Sequence, residues 1–236
     1  MRKFSIILLL LLPGSICAQT QELRIDPTRV YENSNGILFE LKPRPSNPSA
    51  QYYYIEKEYR PGDIYLKNGN AIRNLPMRYD IMRNRMEIVF EQEIKVLYAS
   101  RIDSFQWFNT TNVGISRFTR CKNYPVDPDM KGFLQILADG PLTLASYTYL
   151  KVYPATSSVA LSGSHREHNI FKKEDFFIIK GQEILGFPKK RKQAMLMMAD
   201  HKDQIKRFIR SQGLVFSRKQ DLVRIFKHYN SLKSAS

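Results

Sequence analysis

Residues 64–72 read Ile64-Tyr65-Leu66-Lys67-Asn68-Gly69-Asn70-Ala71-Ile72. Asn-Gly between two apolar runs is the strongest short-range hairpin cue, because both residues tolerate the positive φ that a tight turn needs. The layout recurs along the chain. Strand-like runs over residues 75–82 and 86–90 flank Arg83-Asn84-Arg85; residues 133–137 and 142–152 flank Asp139-Gly140; residues 176–179 and 183–185 flank Gly181-Gln182. Residues 94–98 and 102–108 add candidate strands, and Tyr52-Tyr53-Tyr54-Ile55 adds an aromatic, β-branched run. Upstream, Leu23-Arg24-Ile25 and residues 37–41 read as short strands around Asn33-Ser34-Asn35-Gly36. Pro43, Pro45 and Pro48 then make an irregular loop. Strands joined mainly by tight turns pair antiparallel, since parallel pairing needs crossover helices. The expected fold is therefore α+β, with an antiparallel β-rich domain over residues 19–187. A meander, a sandwich and a curled sheet all fit it.

At Pro188 the apolar period changes from two to about three and a half, and residues 188–236 read as two or three amphipathic helices packed on the sheet. Ala194, Leu196, Met197 and Met198 mark the first. Asp200 is the expected N-cap of the second, with Ile205, Phe208 and Ile209 on one face and Gly213 as its stop. Ser217-Arg218-Lys219-Gln220 has the form of a capping box ahead of Leu222, Ile225, Phe226 and Tyr229.

The chain begins with the layout of an export signal. Arg2 and Lys3 precede an apolar run over residues 6–12, then Pro13-Gly14 and the small residues Ser15, Cys17 and Ala18. The run is far shorter than the roughly 20 residues of a membrane-spanning helix. Residues 1–18 are thus expected to be a cleaved signal peptide, leaving no transmembrane helix and a periplasmic, envelope-associated or secreted protein. Ile16 stands where a lipoprotein signal places a small residue, which disfavours lipidation at Cys17. Cleavage leaves Cys121 alone, so no intramolecular disulfide framework is expected, and a small buried hydrophobe is its simplest role.

Cleavage also lowers the formal charge from +15 to +13. Residues 189–236 carry 13 Lys and Arg against the 3 acids Asp200, Asp203 and Asp221, so most of the excess sits in the last fifth of the chain. Lys189, Lys190, Arg191, Lys192, Lys206, Arg207 and Arg210 are the candidate contacts for an anionic partner: an envelope surface, an acidic polysaccharide or an acidic protein. A solvated helix face that aids solubility explains the same residues. However, like charges at a helix start oppose the macrodipole, so helix stability does not account for Lys189-Lys190-Arg191-Lys192. Nucleic acid would be attracted too, but export separates the two, and none is expected.

Candidate chemistry is sparse, and neither a cofactor nor a metal is expected. His165 and His168 lie three apart, a spacing that suits two metal ligands on a helix, yet they follow Ser162-Gly163-Ser164 and read as loop. Asp127 and Asp129 flank Pro128, as in a turn. His201 sits between acids at an expected helix start, and His228 on the last helix. No serine-nucleophile elbow is present. Trp107 reads as sheet packing, or, if exposed, as an aromatic platform for a carbohydrate ligand. These residues favour a non-enzymatic binding or accessory module. The alternatives are a structural subunit of an envelope assembly and a hydrolase-type enzyme whose site is assembled from distant strands.

The C-terminal order, a basic helix followed by Asp200, Ile205, Phe208-Ile209, Leu214, Asp221-Leu222 and His228-Tyr229-Asn230, resembles the tails of uncharacterised exported proteins of Bacteroidetes. Gly62-Asp63-Ile64-Tyr65-Leu66, Arg78-Tyr79-Asp80, Met86-Glu87-Ile88 and the Gly132-Phe133-Leu134-Gln135-Ile136-Leu137 run with Asp139-Gly140 are similar to their β-region. The resemblance implies an envelope protein and brings no functional residues with it. Mass spectrometry of the exported protein should find Gln19 at its N-terminus; a lipid-modified Cys17 there would overturn the signal-peptide reading.

Overall fold

The structure, a computed structural model, describes residues 39–40, 53–109, 114–153 and 169–234. The expected signal peptide over residues 1–18, the 23–25 segment, the loop of Pro43, Pro45 and Pro48, Tyr52 and the His165–His168 pair lie outside them. Among the described residues eleven strands form one antiparallel sheet: β1 (Phe39–Glu40), β2 (Arg60–Leu66), β3 (Ala71–Asp80), β4 (Arg85–Phe90), β5 (Glu93–Tyr98), β6 (Ile102–Asn109), β7 (Gly114–Arg120), β8 (Phe133–Ala138), β9 (Thr143–Tyr153), β10 (Asn169–Lys180) and β11 (Glu183–Gly186). Their order across the sheet is β1-β5-β4-β3-β2-β6-β7-β8-β9-β10-β11. Three helices follow: α1 (Arg191–Leu196), α2 (Lys202–Ser211) and α3 (Lys219–Ser234). The architecture is α+β, as the turn pattern implies.

The four expected hairpins form, and the structure adds what the turn cues miss. Glu91 and Gln92 close the β4–β5 hairpin with φ of 51° and 66°. Two non-glycine residues in the left-handed region cost about 1–2 kcal/mol each, so composition gives no sign of this turn. β7 is equally quiet, because Phe118 is its one fully buried residue in seven. Residues 53–55 do not form a strand. β2 leaves β3 beyond Met77, and Tyr54 fills that flank through a single bridge to Asp80, with Ile55 N–H donating to Tyr79 O and Ile81 N–H to Tyr53 O.

Among the three expected sheet forms, side-chain contacts select the curled one. Tyr79 on β3 meets Phe133 on β8 edge to face at 5.3 Å between ring centroids. Four ladder steps separate those strands, about 19 Å in a flat sheet, so the sheet must bend toward this face. Phe105 fills the bend, stacked on Phe118 at 4.4 Å and in contact with Trp107 and Phe133. Burying such a ring contributes roughly 2–3 kcal/mol. The same face continues past β8. Phe133 belongs to this aromatic core, while Leu137, four residues along and so on the same side of the pleat, packs with the helices. The opposite face of β8–β10 is covered by residues 121–132 over Leu134, Ala145 and Ile179.

The helices depart from expectation at their ends. α1 is a short turn of six residues. Asp200 does not cap α2; it lies in a short 3₁₀ turn and accepts hydrogen bonds from Tyr229 Oη (3.1 Å) and Lys233 Nζ (2.8 Å) on α3. The Lys233 ammonium holds its carboxyl below the usual carboxylate range. Gly213 does stop α2. At φ of 59° it lets Leu214 N–H reach Ile209 O and its own N–H reach Arg210 O. Ser217 makes no capping hydrogen bond among the described residues. The loop before α3 is held by Asp221, whose Oδ2 accepts Val215 N–H at 3.0 Å.

Asn230 locks α3 to the β8–β9 turn. Buried Asn230 accepts Leu142 N–H (3.1 Å) and donates to Asp139 O (3.1 Å) and Leu142 O (2.9 Å), so it clamps the β8–β9 turn. Gly140 sits beneath it at φ of 146°, where a Cβ would lie 2.5 Å from the Asn230 side chain. Asn230→Ala should destabilise the fold by about 2–3 kcal/mol, since it strands a buried donor and two acceptors. Urea unfolding should show it as a lower midpoint with an unchanged slope.

Candidate functional site

A concavity forms where the β10–β11 hairpin hands the chain to the helices. After Gly186 the strand ends, and Phe187 N–H donates to Phe176 O at 2.8 Å, which holds Phe187 against the middle of β10. From the other side comes the α2–α3 connection, Leu214, Val215, Phe216 and Ser217, fixed by the Gly213 stop and the Asp221 bond. The two segments enclose a cleft of about 770 Å³. Phe176, Phe187, Leu214, Val215 and Phe216 give it an apolar wall. The Phe187 and Phe216 rings lie roughly parallel at 6.5 Å, and Phe187 rests on Phe226 at 6.2 Å. Lys189 and Arg191 stand at the rim, the Arg191 guanidinium 5.9 Å from the Phe216 centroid. Glu174 lines the cleft already paired with Lys219 Nζ.

The candidate cations are thereby sorted. Lys189 and Arg191 reach the cleft, while Lys190 and Lys192 are exposed beside it. Lys206 pairs with Asp203 at 3.5 Å on the surface of α2. Arg207 and Arg210 are exposed on the same helix and do not line the cleft. Trp107 requires correction as a ligand platform: it is 2 % exposed, held against Phe105 and Phe118, and has no free face. Asp127 and Asp129 form the expected turn, with Asp129 N–H on Asp127 Oδ1 at 2.9 Å. His201 bonds Gln204, and His228 stacks on Phe208 at 4.0 Å. Among the described residues no group of three or more His, Cys, Asp or Glu is placed to hold a metal.

Phe187, Phe216 and Glu174 were not legible as site residues. They converge from a strand, a hairpin exit and an interhelical loop, and their spacing along the chain carries no period. The one local signal is Leu214-Val215-Phe216, an apolar run in a connection where polar residues are the rule.

A second constellation lies on the outer face of β3 and β4. Buried Glu87 accepts hydrogen bonds from Arg78 Nε and Nη2 and from Arg85 Nη2, each at 3.0 Å, and from Tyr54 Oη at 3.1 Å. Arg78 sits between the Tyr54 and Tyr59 rings, 3.9 and 4.3 Å from their centroids. Burial, reinforced by the Glu87 charge, pushes both phenols up to about 12. Both Glu87 oxygens are engaged, so the cluster ties residues 53–60 to the sheet and leaves no free acid or base.

Comparison with protein-family profiles, curated proteins and solved structures finds no match to the chain. The functional reading therefore stands on the residues and their geometry. No helix among the described residues is long and apolar enough to cross a membrane.

Cys121 is completely buried, and desolvation pushes its thiol up to about 12. Since only the thiolate attacks, iodoacetamide should leave the native protein unlabelled at pH 8 and label it fully in urea. Rapid labelling of the folded protein would contradict this burial.

Proposed function

We propose that this protein is an exported, non-enzymatic binding module of the cell envelope, and that the cleft between the β10–β11 hairpin and the helices receives an anionic partner. The supporting observation is the pairing of an aromatic wall, Phe187 with Phe216, with Lys189 and Arg191 at its rim. Rings and aliphatic side chains contribute contact area, and the two cations select for negative charge. The 13-to-3 excess of basic residues over residues 189–236 extends that field around the cleft and speeds encounter with an anion. The polar groups at the cleft suit recognition: Glu174 is neutralised by Lys219, and Lys189 and Arg191 set two cations against the one remaining carboxylate, Asp175. The export signal and the resemblance to exported Bacteroidetes proteins support an envelope setting.

Salt tests the reading. Binding of the mature protein to native envelope fractions should weaken steadily as ionic strength rises and the Debye length shrinks from about 30 Å at 0.01 M to about 8 Å at 0.15 M. Lys189→Glu combined with Arg191→Glu should weaken it by about tenfold, and Arg207→Glu combined with Arg210→Glu by much less. Binding indifferent to salt, or equally sensitive to both pairs, would remove the cleft from consideration.

A further inference from the structure

The cleft opens at the end of an unfinished sheet edge. β10 spans Asn169–Lys180, yet β11 pairs only with residues 177–180, and Phe187 extends that ladder by one bond to Phe176 O. Upstream of Phe176, no strand among the described residues occupies this side of β10. The direction of the open groups follows from that bond. Phe176 turns its carbonyl away from β9, and in an antiparallel ladder alternate residues point the same way. Glu174, Lys172 and Ile170 therefore direct both N–H and C=O outward, in a row that runs into the mouth of the cleft.

A row of alternating backbone donors and acceptors is matched in spacing by another extended polypeptide, through strand addition. Lipid head groups and polysaccharides carry no such repeat. The charges then choose among polypeptides. Lys173 and Lys172, whose ammonium also donates to Ile55 O at 2.9 Å, lie on the open edge and Lys189 and Arg191 at its end; Glu174 is neutralised by Lys219, which leaves Asp175 as the one acid against these four cations. Lysines on an edge discourage pairing with neutral or basic strands, but an acidic strand turns the same charges into attraction. A second copy of this chain is a poorer fit. In the register that overlaps two such edges fully, each Lys172 faces its own counterpart.

We infer that the open edge of β10 and the adjoining cleft bind an extended acidic segment of another polypeptide as an added strand. The inference rests on the binding function proposed above and names its partner. The test uses the mature protein and two synthetic peptides of equal charge, one alternating glutamate with valine and one with every valine replaced by proline. The alternating peptide should bind about tenfold more tightly. It alone should slow hydrogen exchange at the amides of Ile170, Lys172 and Glu174. Lys172→Pro removes an outward N–H without touching the β9 ladder, as proline on an edge permits, and should weaken binding well beyond Lys172→Ala. Equal binding of both peptides with no amide slowed would overturn strand addition while leaving the anion-binding cleft intact. Failure of both peptides and of an anionic polysaccharide to bind would overturn both readings. Slow exchange at these three amides in the free protein would show the edge already covered, by a second copy if it depends on concentration and by the chain itself if it does not, and either result overturns the inference.

Discussion

The rings of Phe105 and Phe118, stacked 4.4 Å apart on neighbouring strands, hold the constraint on which the rest of this structure depends. One face of a wide antiparallel sheet carries Ile64, Met77, Met86, Ile88 and Leu97 besides these rings, and a flat sheet would leave that face in water. Bending brings Tyr79 and Phe133 together over the stacked pair and closes the face on itself. Each large ring adds several contacts within the bend. The outcome is a core made by a sheet against itself, with no second layer needed over β2–β7.

The bend cannot extend to the far end of the sheet, and that is why the helices exist. Beyond β8 the strands no longer find an opposing wall, so Leu144, Ile178 and Leu137 are covered by Ile205, Ile209, Leu222, Ile225 and Phe226. Apolar burial holds the helices on but does not fix their rotation, because hydrophobic contact has no direction. Asn230 supplies direction through three hydrogen bonds to the β8–β9 turn, and Asp200 supplies it between α2 and α3 through Tyr229 and Lys233. On the outer face the Glu87 cluster plays the corresponding part for residues 53–60, where a buried carboxylate tolerates only an arrangement that fills its oxygens.

The cleft is a by-product of the same division of labour. A helical cover that protects β8–β10 stops short of the β10 edge, and β11 is too short to finish it. Phe187 and Phe216 line the gap that remains, and the basic linker passes over it. Charge, aromatic wall and open backbone edge therefore coincide for a mechanical reason: all three gather where the sheet ends and the helices begin.

Residue order alone determined the elements with a strong local period or a required turn. The Asn-Gly hairpin at residues 68–69, the Gly213 stop of α2, the antiparallel pairing and the apolar stripes of the helices all follow from φ preferences and side-chain periodicity within a few residues. The same local reading placed the excess of positive charge in residues 189–236. What it could not reach depends on partners distant in the chain. β7 is a strand because β6 and β8 flank it; the Glu91-Gln92 turn is strained because pairing of β4 with β5 imposes it. Asp200 accepts the neighbouring His201 N–H but does not cap α2, because Tyr229 and Lys233 of α3, distant in the chain, engage its carboxylate. Trp107 is core and Lys189 and Arg191 are rim for one reason: curvature sets which face closes and where it ends, and curvature is a sum over many long-range contacts that no short stretch of sequence records.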